Sequence, residues 1–197
     1  TLADGQNYPF SCSFDARTGD LAVSNALSLS SGQPGIAIYR HEQGPPTLYR
    51  DPKIIENYFI GYGPRSQIFF DGVDSSGRFE LARLYRKRFS PIVVKGTTIP
   101  SPEGVQYAQG TLTISGPDGF KNALIYRLTK SGTITGVTHL LGGGNCFSYE
   151  IWKSYVLCAS TNNNVPVFKY PAGGAPLATI GPVAGPFQPV ISEAPKR

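Results

Sequence analysis

The chain has 197 residues and a net charge of +5, with 23 glycines, 17 prolines and 11 each of tyrosine and phenylalanine. This length allows one domain or at most two. No apolar run approaches the roughly 18 residues of a membrane-spanning helix, and the mild, scattered positive charge argues against nucleic acid as a partner. Many turn residues and aromatics, without a long stretch of helical periodicity, predict an all-β chain of short strands.

The predicted strands follow one order four times along the chain. Each set has strands A, B, C and D. The A strands are predicted at 11–15, 59–63, 104–108 and 147–152, and the B strands at 20–25, 67–72, 111–116 and 155–160. The C strands are predicted at 35–40, 78–85, 122–129 and 165–171, and the D strands at 46–51, 90–96, 133–140 and 176–181. A fifth A strand, "FQPVIS" at 187–192, follows the fourth set.

The sets repeat with a period of about 44 residues, the size of a β-propeller blade. A four-stranded sheet of this size cannot bury both faces alone, and packing blade against blade buries them. The predicted fold class is therefore all-β, a single β-propeller domain over 1–197 built from four-stranded antiparallel blades. The blades are expected at about 11–52, 59–98, 104–142 and 147–182, with an extra strand at 187–192.

The extra A strand leaves two arrangements open. It could pair with the first blade and close a four-bladed ring, which would remove an exposed edge. However, the first blade already has its own A strand at 11–15. The pattern therefore favours an incomplete part of a six- or seven-bladed propeller, whose exposed apolar faces would drive self-association.

Three segments carry a resemblance to known proteins. "CSFDARTGDLAVSN", "FFDGVDSSGRFELARL" and "VFKYPAGGAPLATI" resemble uncharacterised secreted bacterial propeller proteins, and the Gly-rich turn of the third is similar to NHL-type repeats. The resemblance covers nearly the whole chain. It implies an extracytoplasmic or secreted location, although no signal peptide is visible in this chain, which begins at Thr1. It implies no particular reaction, because fold does not determine function.

Polar residues in the D–A and B–C loops are the candidate ligand-binding residues, because these loops share one end of the central channel. They are Asn25, Asp71, Asp74, Glu103, Asp118, Asn145 and Asn162. Their oxygens could hold a divalent cation. Gluconolactonase-like and strictosidine-synthase-like propellers place metal ligands around the channel, and "SPEGV" at 101–105 loosely resembles part of their pattern. Turn formation explains the same residues equally well.

The other reactive residues indicate no catalytic site. His41, in a C–D turn, and His139, in a D strand, are expected on the surface, so neither can serve as base for a nucleophile in the channel. The basic segment "RLYRKR" at 83–88 is expected to be a solvated turn. Cys146 and Cys158, on neighbouring A and B strands, are expected to be buried free thiols, with a disulfide as the alternative.

Seven aromatic residues are expected in the central channel and on the stacked faces of the blades, most of them as core packing between blades. They are Phe14, Tyr39, Phe69, Tyr107, Tyr126, Trp152 and Phe168.

The leading functional prediction is a non-enzymatic binding or scaffold module for a protein, glycan or small ligand, without catalytic residues or a bound cofactor. The alternative is a metal-dependent hydrolase of the lactonase or strictosidine-synthase type, which would require Ca²⁺ or another divalent ion. Nucleic-acid binding through residues 83–88 is a third and weaker hypothesis.

Overall fold

The structure, a computed structural model, describes residues 7–28 and 34–190. Within these ranges the chain forms sixteen β-strands and one 3-10 turn, Pro64–Ser66, and no α-helix. The prediction of an all-β chain is confirmed. None of the described residues belongs to a helix that is long and apolar enough to cross a membrane.

The strands form four consecutive meanders. The first two contain β1 (Asn7–Asp15), β2 (Asp20–Ser28), β3 (Gly35–Arg40), β4 (Gln43–Tyr49), β5 (Glu56–Tyr62), β6 (Ile68–Val73), β7 (Phe79–Tyr85) and β8 (Arg88–Pro91). The last two contain β9 (Val105–Ala108), β10 (Thr111–Asp118), β11 (Asn122–Leu128), β12 (Ile134–Leu140), β13 (Cys146–Trp152), β14 (Tyr155–Ser160), β15 (Val165–Lys169) and β16 (Gly173–Ile180).

Each meander is a sheet of four antiparallel strands in chain order. The third and fourth meanders join into one eight-stranded sheet, because β12 and β16 meet in parallel where Leu140 faces Gly174. The predicted four-stranded antiparallel units are therefore present. The first strand of each unit lies at one edge of its meander. These edge strands contact one another, β5 with β1 and β9, and β9 with β13.

Two predicted strands differ from the structure. The outer strand of the second unit, predicted at 90–96, is only Arg88–Pro91. Beyond it the chain turns towards the third meander, where Lys95 forms a bridge with Thr133. Residues 187–190 of the predicted extra strand contain no strand, and residues 191–192 lie outside the described residues. Pro186 and Pro189 lack the N–H group that a ladder requires, which accounts for the missing strand.

Aromatic side chains fill the space between the first strands of three meanders. Phe10 in β1 lies 5.3 Å from Phe59 in β5, and Phe59 lies 5.8 Å from Phe147 in β13, measured between ring centroids. Phe187 completes the group at 4.6 Å from Phe10 and 4.9 Å from Phe147. We call these four residues the axial aromatic cluster. Through Phe187, the segment after β16 bridges the first and fourth meanders.

Most of the aromatics predicted for the core are buried. Tyr39, Phe69, Tyr126 and Phe168 are buried as expected, whereas Tyr107 and Trp152 are only partly buried. Phe14 is half exposed, and the prediction that the aromatics serve the channel or the stacked faces includes such a position. Phe14 lies at the wall of a central cavity.

The cysteines also correct the sequence analysis. Cys146 in β13 and Cys158 in β14 form a disulfide, so the prediction of free thiols is wrong. The Cα atoms of this pair are 5.3 Å apart, a separation that a disulfide spans. The two cysteines are not directly opposite each other in the ladder, because Tyr149 faces Cys158 and Cys146 faces Ser160 beyond a bulge. Cys12 is the remaining free cysteine.

Two glycines in equivalent turns provide a test of the contact between the third and fourth meanders. Gly44 and Gly173 have φ angles of +68° and +72°, so alanine at either site is expected to cost about 1 kcal/mol of backbone strain. A Cβ atom at Gly44 would meet no atom within 4 Å, whereas one at Gly173 would collide with the carbonyl oxygen of His139. Urea unfolding of Gly173→Ala should therefore show an additional loss of about 1–3 kcal/mol relative to Gly44→Ala. Equal losses would contradict the contact.

Candidate ligand-binding site in the central cavity

A cavity of about 350 Å³ lies between the first strands of the four meanders. Residues of β1, β5, β9 and β13 line it, together with Leu21, Gln188 and Val190. Its volume falls at the lower end of the range of small-molecule pockets. Since the strands at its wall belong to all four meanders, the cavity exists only because the meanders pack around a common centre.

One carboxyl group reaches this cavity from β13. Glu150 is held by Gln106 of β9, whose side chain donates a hydrogen bond to the carboxylate. The Gln106 carbonyl oxygen, Oε1, in turn accepts the backbone N–H of Ile151 at 2.8 Å. Both ends of the Gln106 amide are thus engaged, which fixes the orientation of the amide. Burial raises the pKa of Glu150 to about 7.

Glu150 is the only Asp, Glu, Lys, Arg or His among the fourteen residues that line the cavity. In the described part of the chain no basic side chain forms an ion pair with it. Aromatic residues surround it, with Phe14, Tyr62 and Tyr107 on the three other inner strands. The site therefore combines one positioned carboxyl group with several aromatic side chains.

Sequence reasoning did not identify Glu150 or Gln106. In "CFSYEIW" the glutamate alternates with apolar residues, a pattern that normally places the charged side chain in solvent. On the first strand of a meander, however, a side chain that points away from the apolar core enters the central cavity instead of bulk solvent. A charged residue on a predicted A strand was the signal that could have revealed the site.

A second cluster of polar side chains contains three of the predicted site residues. Glu103 accepts hydrogen bonds from the Asn145 side chain at 3.0 Å and from the Ser101 hydroxyl at 3.3 Å. Asp71 is fully buried in β6 and accepts the backbone N–H of Phe59 at 2.8 Å and that of Gly104. The negative charge of Glu103 contributes to raising the pKa of Asp71. We call Asp71, Glu103 and Asn145 the buried acidic network.

In two of the other meanders a serine occupies the position of Asp71. Ser24 in β2 donates a hydrogen bond to the carbonyl oxygen of Ser11, and Ser115 in β10 donates one to that of Glu103. The equivalent residue of β14 is Ala159. A serine side chain has one oxygen that needs a hydrogen-bond partner, whereas an aspartate side chain has two. In Asp71 the second oxygen, Oδ2, is buried and finds no hydrogen-bond partner among the described residues. Oε2 of Glu103 and Oδ1 of Asn145 are in the same situation.

The remaining predicted site residues lie apart from this network. Asn25 is buried within β2, and neither side-chain polar atom has a partner among the described residues. Asp74 closes a turn through an ion pair with Arg78 at 2.6 Å, and this partner lowers the pKa of Asp74. Asp118 lies 3.9 Å from His139. Asn162 lies in the turn after β14, where its N–H bonds to the Ser160 hydroxyl.

The histidines occupy peripheral positions, as predicted, but only part of the segment 83–88 is the predicted solvated turn, because residues 83–85 belong to β7 and Leu84 is buried. His41 lies in the exposed turn between β3 and β4, and the side chain of His139 is largely exposed on β12. Arg86 and Lys87 form the turn between β7 and β8. None of these residues lines the central cavity.

The sequence matches no family model and no curated protein. Solved structures are similar in fold. A nidogen/laminin complex aligns at TM-score 0.57 and 13% identity over 90% of this chain and 81% of that chain. Glutaminyl cyclase from Myxococcus xanthus aligns at TM-score 0.59 and 12% identity, over 89% and 71%. The computationally designed Ika4 protein aligns at TM-score 0.55 and 9% identity, over 86% and 95%. These similarities establish a propeller-like fold and, at such low identity, the fold alone.

The buried acidic network predicts an unusual dependence of stability on pH. Burial raises the pKa of Asp71 to about 8 and that of Glu103 to about 7, while both groups return to ordinary values near 4 when the chain unfolds. Between about pH 4 and pH 8 the folded state therefore binds more protons than the unfolded state, and the free energy of unfolding should fall as pH rises.

Asp71→Asn should reduce this decline, because the asparagine cannot ionise and keeps an oxygen to accept the Phe59 N–H. Asp118→Asn, at an exposed site, serves as the control and should leave the decline unchanged. Denaturant unfolding at a series of pH values measures both. A decline of the same size in Asp71→Asn would show that Asp71 ionises normally in the folded protein.

Proposed function

We propose that the four meanders are four propeller blades of an NHL-like repeat, with boundaries near 11–52, 59–98, 104–142 and 147–182. The shared strand order of the four units supports this division. We further propose that residues 187–190 close the ring rather than begin another blade. This is favoured by the position of Phe187 between Phe10 of the first meander and Phe147 of the fourth.

We infer that the protein is a non-enzymatic binding module that takes a small ligand into the central cavity. One observation carries this proposal: the cavity between the four inner strands contains a carboxyl group held in place by Gln106. Binding pockets are typically concave and largely apolar, with few polar groups placed to orient the ligand. Among the described lining residues the Gln106 amide is already engaged, and no histidine is present to act as a base.

An extracytoplasmic location is part of the same proposal. The Cys146–Cys158 disulfide supports it, because disulfides persist mainly in oxidising compartments. A protein partner is the alternative to a small ligand, since one structural neighbour is described as a nidogen/laminin complex. The cavity nevertheless favours a small ligand for this chain.

A cysteine at the cavity wall allows the proposal to be tested by alkylation. Cys12, at the cavity wall, is the only one of the three cysteines outside the disulfide. Alkylation of its thiol with a bulky maleimide should fill part of the cavity. A ligand-observed NMR screen of neutral, anionic and cationic fragments should yield compounds that bind the untreated protein and lose binding after alkylation.

A Cys12→Ser variant treated with the same maleimide is the matched control and should retain binding of those fragments. If every fragment that binds does so equally well to the alkylated protein, small-ligand binding in this cavity is ruled out.

The second candidate function is a metal-dependent hydrolase. The observation that favours it is the set of buried oxygens without partners on Asp71, Glu103 and Asn145, because divalent cations such as Ca²⁺ prefer oxygen ligands. In the described part of the chain no three His, Cys, Asp or Glu side chains come together. A cation at this position would therefore depend on amide oxygens as well as on the two carboxylates.

Calcium binding distinguishes the two functions. The hydrolase hypothesis requires that Ca²⁺ raise the Tm of the wild-type protein at pH 8, that Asp71→Asn remove this effect, and that the protein cleave simple lactones. The binding-module proposal predicts no lactone cleavage with or without Ca²⁺. Thermal unfolding and a colorimetric lactone assay measure these outcomes, and cleavage abolished by Asp71→Asn would replace the leading proposal.

A further inference from the structure

The cavity surrounding Glu150 has features that define the chemistry of its ligand. Within the described residues, the carboxyl group carries no ion-pair partner and is the only charged group at the wall. A carboxylate in a partly desolvated site gains most from a cationic partner. A neutral or anionic ligand would leave this charge uncompensated.

The aromatic residues further restrict the chemical class of the ligand. Phe14, Tyr62 and Tyr107 line the cavity from the three inner strands that face β13. Aromatic faces attract organic cations, including quaternary ammonium groups. Ca²⁺ would instead require six to eight oxygen ligands, and this wall presents one carboxylate beside an amide that is already engaged.

We propose that the central cavity is a binding site for an organic monocation, such as a substituted ammonium group, with Glu150 as its counter-ion and the aromatic side chains as its apolar enclosure. This inference rests on the proposed function, namely that the cavity binds a small ligand. Gln106 is a positioning residue, because it holds the carboxylate without needing to touch the ligand. The site is separate from the buried acidic network, none of whose three members lines the cavity.

The ionisation of Glu150 adds a pH dependence to this site. Binding should strengthen as pH rises from about 5.5 to about 8, since the pKa of Glu150 near 7 means that the carboxylate forms across this range. The other titratable groups at the wall are the Cys12 thiol and the hydroxyls of Tyr62, Tyr107 and Tyr149.

Two basic groups on neighbouring segments lie against aromatic rings. The Lys130 ammonium lies 5.8 Å from the centre of the Tyr107 ring, and the Lys153 ammonium lies 3.9 Å from that of Trp152. Burial raises the pKa values of Cys12, Tyr62 and Tyr149.

Three aromatic compounds of similar size test the inference: benzyltrimethylammonium, benzyl alcohol and benzoate. The first is a permanent cation, so any change in its binding with pH reports on the protein. Isothermal titration at pH 8 should show binding of the cation, and Glu150→Gln should weaken it by about tenfold or more because the neutral amide removes the attraction between charges. Glu42→Gln, in an exposed turn, makes the same change in net charge and should leave the affinity unaltered.

Protection of Cys12 supplies a readout on the unaltered protein. Benzyltrimethylammonium should slow the reaction of the Cys12 thiol with a small disulfide reagent, and the protection should fade at pH 5.5. Lys196 and Arg197 lie outside the described residues, and their cationic groups would compete with benzyltrimethylammonium if they entered the cavity. The same measurement is therefore made on Lys196→Gln/Arg197→Gln, which lacks both groups. Protection in either the wild type or this variant supports the proposal.

The possible failures separate the two inferences. If benzyl alcohol or benzoate protects Cys12 and benzyltrimethylammonium does not, the cavity binds ligands but the assignment to cations is wrong. If the cation binds with equal affinity to wild type and Glu150→Gln, Glu150 is not its counter-ion and the proposal is overturned. If the cation protects neither protein, the proposal is overturned as well.

Discussion

The packing of the four inner strands around one centre is the constraint on which the rest of this structure depends. Each meander is a small sheet that cannot bury both faces alone. The axial aromatic cluster shows how they combine, because Phe10, Phe59 and Phe147 come from three different meanders and Phe187 comes from the segment after the last strand. Aromatic pairs at such separations contribute more than their buried area alone.

The same packing creates the chemistry of the site. Strand alternation gives each inner strand one set of side chains directed to the common centre, so that residues distant in sequence line one cavity. Gln106 and Glu150 illustrate the consequence, since they belong to different meanders and their side chains bond across the boundary. A carboxyl group placed there loses hydration and its pKa rises, which is a cost that a cationic ligand would offset.

The repeat was the strongest signal in the sequence. All four sets of strands, their antiparallel order and the peripheral turns could be predicted from the period and from turn chemistry, because each unit repeats a local pattern. The positive φ angles of Gly44 and Gly173 follow the same logic. The short β8 could not be predicted in this way, since its end depends on the bridge between Lys95 and Thr133 in another meander.

The candidate site was only partly accessible to sequence reasoning. Asp71, Glu103 and Asn145 were selected because they lie near loop ends, and their mutual contacts depend on how neighbouring blades approach each other. Glu150 was missed because alternation alone cannot distinguish a channel from bulk solvent. The disulfide joins two residues that do not face each other in the ladder, since Cys146 faces Ser160 and Cys158 faces Tyr149, so strand pairing alone does not predict it.

A double-mutant cycle between Phe59 and Phe147 tests most directly whether the meanders meet at a common centre. These residues belong to the second and fourth meanders, and their ring centroids are 5.8 Å apart. The free energies of unfolding of Phe59→Ala, Phe147→Ala and the double variant should give a coupling energy of about 0.5–1.5 kcal/mol. The matched cycle between Phe147 and Phe89, which packs on Phe70 in the second meander, should give a coupling near zero. A coupling near zero for Phe59 and Phe147 would contradict the central packing.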